Sequence, residues 1–178
     1  LFLRNNSKSN GTTSTENSQP LKGYEYGNSF SIYYDDVKTT SIFAEIEYLF
    51  DKNLTFTTHI KYDNYTTTNA LENWNLPSLQ TSILANYTSE KWYANTTIYY
   101  VSERKDAVYT ATFPSRLNGT ETLNSFVDVN LNGGYHFNDK FSAFLRLNNV
   151  LNTAYQRFAN FNTQGFQALA GITYKFDF

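Results

Sequence analysis

The only imidazoles in the chain are His59 and His136, and there is no cysteine, so metal and nucleophilic chemistry have few candidate carriers. Both histidines sit in stretches where polar and apolar residues alternate, a pattern in which residues two apart share a face. His59 then faces the same way as Lys61 and Asp63, and His136 the same way as Asn132 and Gly134. The two stretches are not neighbours, and no carboxylate recurs in pattern with either ring, so neither a metal pair nor an acid–base dyad is expected. No G-x-S-x-G element, phosphate-cradling glycine loop or H-E-x-x-H segment occurs. The expectation is a chain with no catalytic residue, no metal ligand and no cofactor, and hence not an enzyme, although dispersed hydrolase groups need no contiguous motif.

Charged side chains do recur in a different pattern. Glu45, Glu47, His59, Lys61, Asp63, Asp128, His136, Arg146 and Lys175 each fall on the polar side of an alternating stretch. If the stretches are strands, these residues line one wetted face, where they could touch a passing solute or a packed domain, or simply meet water. Trp74, Tyr109, Phe113, Phe158 and Phe161 fall in the long segments between stretches, where they could stack on an incoming ligand or pack their own loops. The net charge of −2 is spread singly over 14 basic and 16 acidic residues, so there is no field to attract nucleic acid.

The elements that would position these residues are strands. Period-2 alternation rich in Thr, Tyr, Phe, Ile and Val predicts seven: Thr39–Phe50, Leu54–Asp63, Leu79–Tyr87, Trp92–Val101, Phe126–Phe137, Phe141–Asn149 and Phe166–Phe178. They are longer than the usual five or six residues of soluble sheets and close to the ~9–11 of a tilted membrane strand. No run approaches a membrane helix, and the mean hydropathy of −0.51 misleads for a barrel, because averaging hides an apolar face behind a polar one. Connections alternate strictly. Asp51-Lys52-Asn53, Ser89-Glu90-Lys91 and Asn138-Asp139-Lys140 are short, whereas Asn64–Ser78, Ser102–Asn124 and Val150–Gly165 are long and rich in Asn, Thr, Ser and Gly. Short periplasmic turns and long extracellular loops are the arrangement of outer-membrane barrels, which places Phe178 on the periplasmic side. Aromatic residues cluster at strand ends, as headgroup-level girdles would. The fold expected is all-β, an antiparallel transmembrane β-barrel segment of about seven to eight strands in a bacterial outer membrane. Residues 39–178 form its strands, and residues 1–38 a truncated strand and a polar extracellular loop region.

The run Phe141-Ser-Ala-Phe-Leu-Arg-Leu-Asn-Asn-Val-Leu-Asn-Thr-Ala-Tyr155, followed by Gln164-Gly-Phe-Gln-Ala-Leu-Ala-Gly-Ile-Thr-Tyr-Lys-Phe176, resembles the C-terminal end of TonB-dependent outer-membrane receptors. There an L-x-N-x-x-(N/D)-x-x-Y segment precedes a last strand ending in aromatic-x-Phe. Thr40–Tyr48 is similar to the strand carrying G-x-E, with Glu45 at the acid and Phe43 where glycine is usual. Gly171, Tyr174 and Phe176 resemble the signal read by the barrel-assembly machinery, with Leu169 where a polar residue is common and the strand running on to Phe178. The resemblance implies a barrel of about 22 strands around a plug domain, coupled to TonB through an N-terminal part expected outside this sequence. It implies uptake of a scarce, bulky nutrient, with outer-membrane lipid as surround; the run Tyr155–Gln167 leans toward a siderophore or cobalamin. Seven strands would be about a third of such a barrel. Two other readings stay open on the residues: a self-contained eight-stranded outer-membrane barrel with a structural or adhesive role, and a soluble carbohydrate-binding β-sandwich using exposed Trp74 and tyrosines.

Overall fold

A computed structural model of the chain describes residues 2–4, 30–32, 34–109, 117–159 and 161–176. The strands in chain order are β1 (Phe2–Arg4), β2 (Phe30–Ile32), β3 (Val37–Asp51), β4 (Leu54–Thr67), β5 (Leu79–Thr88), β6 (Trp92–Val101), β7 (Arg104–Tyr109), β8 (Leu117–Leu123), β9 (Phe126–His136), β10 (Phe141–Asn148), β11 (Gln156–Phe158), β12 (Phe161–Asn162) and β13 (Gln167–Tyr174). Seven of them form one antiparallel sheet in the order β13-β10-β9-β6-β5-β4-β3. All seven strands expected from alternation are present. Among the described residues the sheet is open, with β3 and β13 at its edges.

Register fixes which residues share a face, because directly opposed residues of an antiparallel pair project to the same side. Ile46 opposes Thr58, which opposes Ile83, then Ile98, then Val129. One row nearer the short turns, Tyr48, Phe56, Ala85, Thr96, Leu131, Leu147 and Ala168 run unbroken across the sheet. Every strand thus contributes its apolar series to one face. This includes β6, where Trp92, Ala94, Thr96, Ile98 and Tyr100 lie on the apolar side although Tyr93, Tyr99 and Val101 face the other way.

No second layer covers the apolar face among the described residues. Ile83, Ile98 and Leu145, all on interior strands, are 39 %, 36 % and 47 % exposed. Each large side chain left in water forgoes about 1.5–3 kcal/mol of burial, so a face of this extent needs an apolar surround. A soluble sandwich would pack a second sheet against it. The buried hydrophobic residues lie elsewhere: Trp74, Val101, Ala107, Leu123, Phe126 and Ala159 gather at the long-loop end.

The three short turns share a chemistry. The Asp51 carboxylate accepts from the Asn53 and Leu54 amides at 2.6 and 3.0 Å. Asn138 Oδ1 accepts from Lys140 and Phe141 at 3.0 and 2.9 Å, and Ser89 Oγ accepts from Trp92 at 3.1 Å. A short polar side chain at the start of each turn thereby satisfies amides that no strand can reach. The first turn is tighter than expected, because β3 continues through Asp51 with a register shift between Leu49 and Asp51.

The long connections differ from their expectation as loops. β7 and β8 pair as a hairpin inside the Ser102–Asn124 segment, and β11 and β12 pair inside Val150–Gly165. Near the N-terminus, β1 pairs with β2 in a separate two-stranded sheet. The last strand is shorter than expected, ending at Tyr174, although the Lys175 amide still donates to Lys140 O at 2.9 Å. Phe178, Phe113 and residues 5–29 of the N-terminal region lie outside the described residues, as does the side chain of Tyr109.

Candidate functional site

The polar face is the first candidate surface, and the register puts Glu45, Glu47, His59, Lys61, Asp63, Asp128, His136 and Arg146 on one side of the sheet, while Lys175 lies past the end of β13. Glu45 opposes His59, Phe43 opposes Lys61, Glu47 opposes Thr57, Tyr99 opposes Asp128, and Arg146 opposes Asn132. His59 does have a carboxylate partner, contrary to expectation: its Nδ1 lies 3.2 Å from Glu45 Oε2 on the next strand. Glu45 and His59 are equidistant from Lys52 in sequence, so the turn itself sets them opposite. With both groups substantially exposed, such a pair contributes at most about 1 kcal/mol. His59 and His136 stay apart, since β5 and β6 lie between β4 and β9. Among the described residues, no cluster of three or more potential metal ligands occurs.

Neutral hydrogen bonds dominate the rest of the polar face. Asn132 donates to Asn95 Oδ1 at 3.2 Å and Asn95 donates to Asn86 Oδ1 at 2.8 Å, a ladder of amides spanning β9, β6 and β5. Tyr99 donates to Gln80 Oε1 at 2.8 Å. Asp63, only 1 % exposed, is enclosed by Lys61 at 2.8 Å, Ser41 Oγ at 2.6 Å and Tyr65 OH at 2.9 Å. Toward the short turns the face turns aromatic. Tyr93, Gly134, Phe144 and Gly171 occupy one row, and a Cβ on Gly134 would collide with the Tyr93 ring, one on Gly171 with the Phe144 ring. Each glycine is therefore a seat for the aromatic ring of the neighbouring strand.

The second candidate is the loop cluster. Asp106, fully buried, accepts from Asn75 Nδ2 at 2.7 Å, from the Ala107 amide at 2.9 Å and from the Ala159 amide at 2.7 Å. One carboxylate thus joins the β4–β5 connection, the β7–β8 hairpin and the β11–β12 hairpin. Arg104, 7 % exposed, donates to the carbonyls of Gln156 and Arg157 and lies 5.6 Å from the centre of the Phe126 ring. Burial holds its pKa below the usual value, against the opposing field of Asp106. Tyr155 stacks on Phe126 at 3.9 Å and 5°, and its hydroxyl donates to Asp128 Oδ2 at 3.0 Å. Burial and that hydrogen bond both raise the phenol pKa.

Of the loop aromatics, Trp74 is 2 % exposed and packs with Ala107 and Ala70. The indole is thus packed between its own connection, at Ala70, and the β7–β8 hairpin, at Ala107. Phe161 is 36 % exposed and Phe158 half-buried, both on the β11–β12 hairpin. Sequence reasoning passed over Arg104, Asp106 and Asn75, because a buried charged residue in a polar hairpin carries no periodic signal. Two open cavities adjoin the cluster. One of about 230 Å³ is lined by Asp63, Tyr65, Glu72, Arg104 and Lys105, and one of about 390 Å³ by Glu121, Phe126, Tyr155 and Gln156. Both linings are polar, the first carrying charges of both signs and the second only Glu121, suited to a small solute with several hydrogen-bonding groups.

No family model and no curated relative matches the sequence. Solved structures match in shape. The ferripyoverdine receptor of the outer membrane of Pseudomonas aeruginosa, bound to ferripyoverdine, aligns with a TM-score of 0.66 at 16 % identity, over 88 % of this chain and 21 % of that one. The siderophore receptor PiuA from Acinetobacter baumannii aligns at 0.61 and 13 % identity, over 80 % and 22 %. A mutant of the ferric enterobactin receptor PfeA from Pseudomonas aeruginosa aligns at 0.58 and 13 % identity, over 75 % and 22 %. The chain spans about a fifth of the length of these receptors. Its fold is that of part of their β-barrel wall.

Proposed function

We propose that the chain is the C-terminal part of the barrel of a TonB-dependent outer-membrane receptor that takes up a scarce nutrient presented as a small ligand, a siderophore or similar chelate. The observation that carries this reading is the seven-stranded sheet with one bare apolar face and one hydrogen-bonded polar face, in a chain whose fold matches part of receptors of ferric siderophores. The polar face, with Glu45, Glu47, His59, Lys61, Asp128 and Arg146, lines the lumen and meets the plug. The loop cluster around Asp106 forms part of the extracellular mouth, and the apolar face meets outer-membrane lipid. Gly171, Tyr174, Phe176 and Phe178 present the last strand to the barrel-assembly machinery. The role is binding and transport, without catalysis.

The test is uptake by cells that carry or lack the complete gene. Under iron limitation the deletion should abolish accumulation of one ferric siderophore, and the loss should be matched by collapsing the proton gradient in cells that keep the gene. Unchanged uptake across a panel of siderophores and cobalamin would overturn the assignment. A second reading, a self-contained eight-stranded barrel, finds less support, since β1 pairs with β2 and not with the free edge of β13 among the described residues.

A further inference from the structure

The two adjacent glycines of β9 face opposite ways and meet different fates. Gly134, on the polar face, is covered by the ring of Tyr93. Gly133, on the apolar face, has no side chain above it: an added Cβ would come near only the Tyr93 backbone carbonyl, at 3.3 Å. Gly133 is flanked in its row by Ala94 and Leu145, with Trp92, Tyr135 and Ala143 in the row toward the short turns and Thr96, Leu131 and Leu147 in the row on the other side. Larger side chains thus ring an unfilled centre, and the result is an apolar groove of about 510 Å³, larger than either cavity beside the loop cluster.

We infer that this groove is a seat for one acyl chain of a phospholipid in the periplasmic leaflet. The inference rests on the membrane reading above, and three observations select the occupant. The groove is continuous with the bare apolar face, so the surrounding medium of that face is what fills it. Its outer rim is the Trp92–Tyr135 contact, with rings 4.5 Å apart, directly beside the Ser89-Glu90-Lys91 turn, where amphipathic rings sit at headgroup level. From that rim it runs inward past Gly133 to Leu131 and Leu147, about 13 Å along the strands at roughly 3.3 Å per residue, the direction an acyl chain takes from its headgroup. A chain lying there recovers dispersion contacts that the gap over Gly133 otherwise forfeits.

The experiment reconstitutes the complete protein in bilayers containing phosphatidylethanolamine with a diazirine midway along one acyl chain, then maps the photo-adducts by peptide mass spectrometry. Adducts should concentrate on the peptides of β6, β9 and β10 that line the groove, over equally apolar residues such as Ile46 and Ile60. Gly133→Leu should lower that preference several-fold while the protein keeps its heat-modifiable mobility, and Ala143→Leu, which fills the groove from its other side, serves if the first variant fails to assemble. Adducts spread evenly over the apolar face, or a preference that survives both variants, would overturn the seat alone. Adducts absent from the whole apolar face would overturn the membrane reading with it. Protection of the groove by a cross-linked protein in place of lipid would also overturn the inference.

Discussion

Asn149, Asn152 and Tyr155, which first stood out as a motif, each have a physical task in the turn after β10. Asn149 and Asn152 hold φ of 47° and 49°, a left-handed conformation that costs an ordinary residue about 1–2 kcal/mol and that asparagine tolerates best after glycine. The Asn149 amide also donates to the carbonyls of Thr153 and Gln164 and accepts from the Thr153 amide, all at 3.0 Å. Substitution separates the two roles. Asn149→Gly should lose the hydrogen bonds and keep the conformation, whereas Asn149→Ala should lose both and be destabilised by about 1 kcal/mol more. Denaturant titration of the two variants in the complete protein would measure the difference, and equal midpoints would refute the conformational role. Asp35 gives a residue-scale test of pH. Desolvation pushes its carboxyl up, but the Ala70 and Asn69 amides, the Asn69 side chain and the Asp36 amide together outweigh it and hold the pKa below the usual range. A carboxyl depressed on folding stabilises the fold above its unfolded pKa of about 3.9 and loses that contribution as pH falls through the lower folded value. The amides of Asn69 and Ala70 should therefore lose exchange protection in acid, once intrinsic rates are corrected, and Asp35→Asn should show the same loss at neutral pH.

Alternation made the wall legible at the scale of elements, because each wall strand must present one face to apolar surroundings and the other to water. That requirement leaves a period in the sequence, and it extends even to the facing of β6. The hairpins β7–β8 and β11–β12 lie under no such requirement. Arg104, Asp106 and Ala107 are all buried within one short strand, so polarity and burial no longer correspond there and the period vanishes. The partnership of Glu45 with His59 was latent in the turn at Lys52, whereas the joining of three segments by Asp106 depends on contacts too distant in sequence to read. Replacing Asp106 with Ala would strand the Asn75 and Ala159 donors in a buried site, so local opening at the Ala159 amide should become easier by about 2–3 kcal/mol, measurable by hydrogen exchange; unchanged protection would show that the hairpins hold without it. Gly171 is the other element-scale joint. A Cβ there would stand 2.5 Å from Phe144 Cε1, so Gly171→Ala should displace the ring and destabilise the β10–β13 pairing by about 1–3 kcal/mol. Phe144→Ala empties the seat, and the double variant should cost clearly less than the sum of the two singles. Strict additivity in urea unfolding would rule out the ring-and-seat account.

Strand direction constrains the whole molecule more tightly than any single contact. A seven-stranded antiparallel meander ends on two strands that run the same way, so β3 and β13 both descend from the long-loop side to the short-turn side. They cannot close on one another in antiparallel fashion, so closing this sheet into an antiparallel barrel would take an odd number of further strands between them. An edge of fifteen residues carrying Ile42, Ile46, Tyr48 and Phe50, each more than half exposed, would otherwise template aggregation, its protection amounting to scattered charges and one register shift near its end, between Leu49 and Asp51. In the complete protein the outward amides of β3 should therefore be hydrogen-bonded to an ascending strand. Hydrogen exchange resolves the question, because half of the β3 amides already point at β4 and only the other half report on the missing neighbour. Both sets should exchange as slowly as those of β4; fast exchange confined to the outward set would mean that β3 is a true edge and that the wall is not part of a larger barrel.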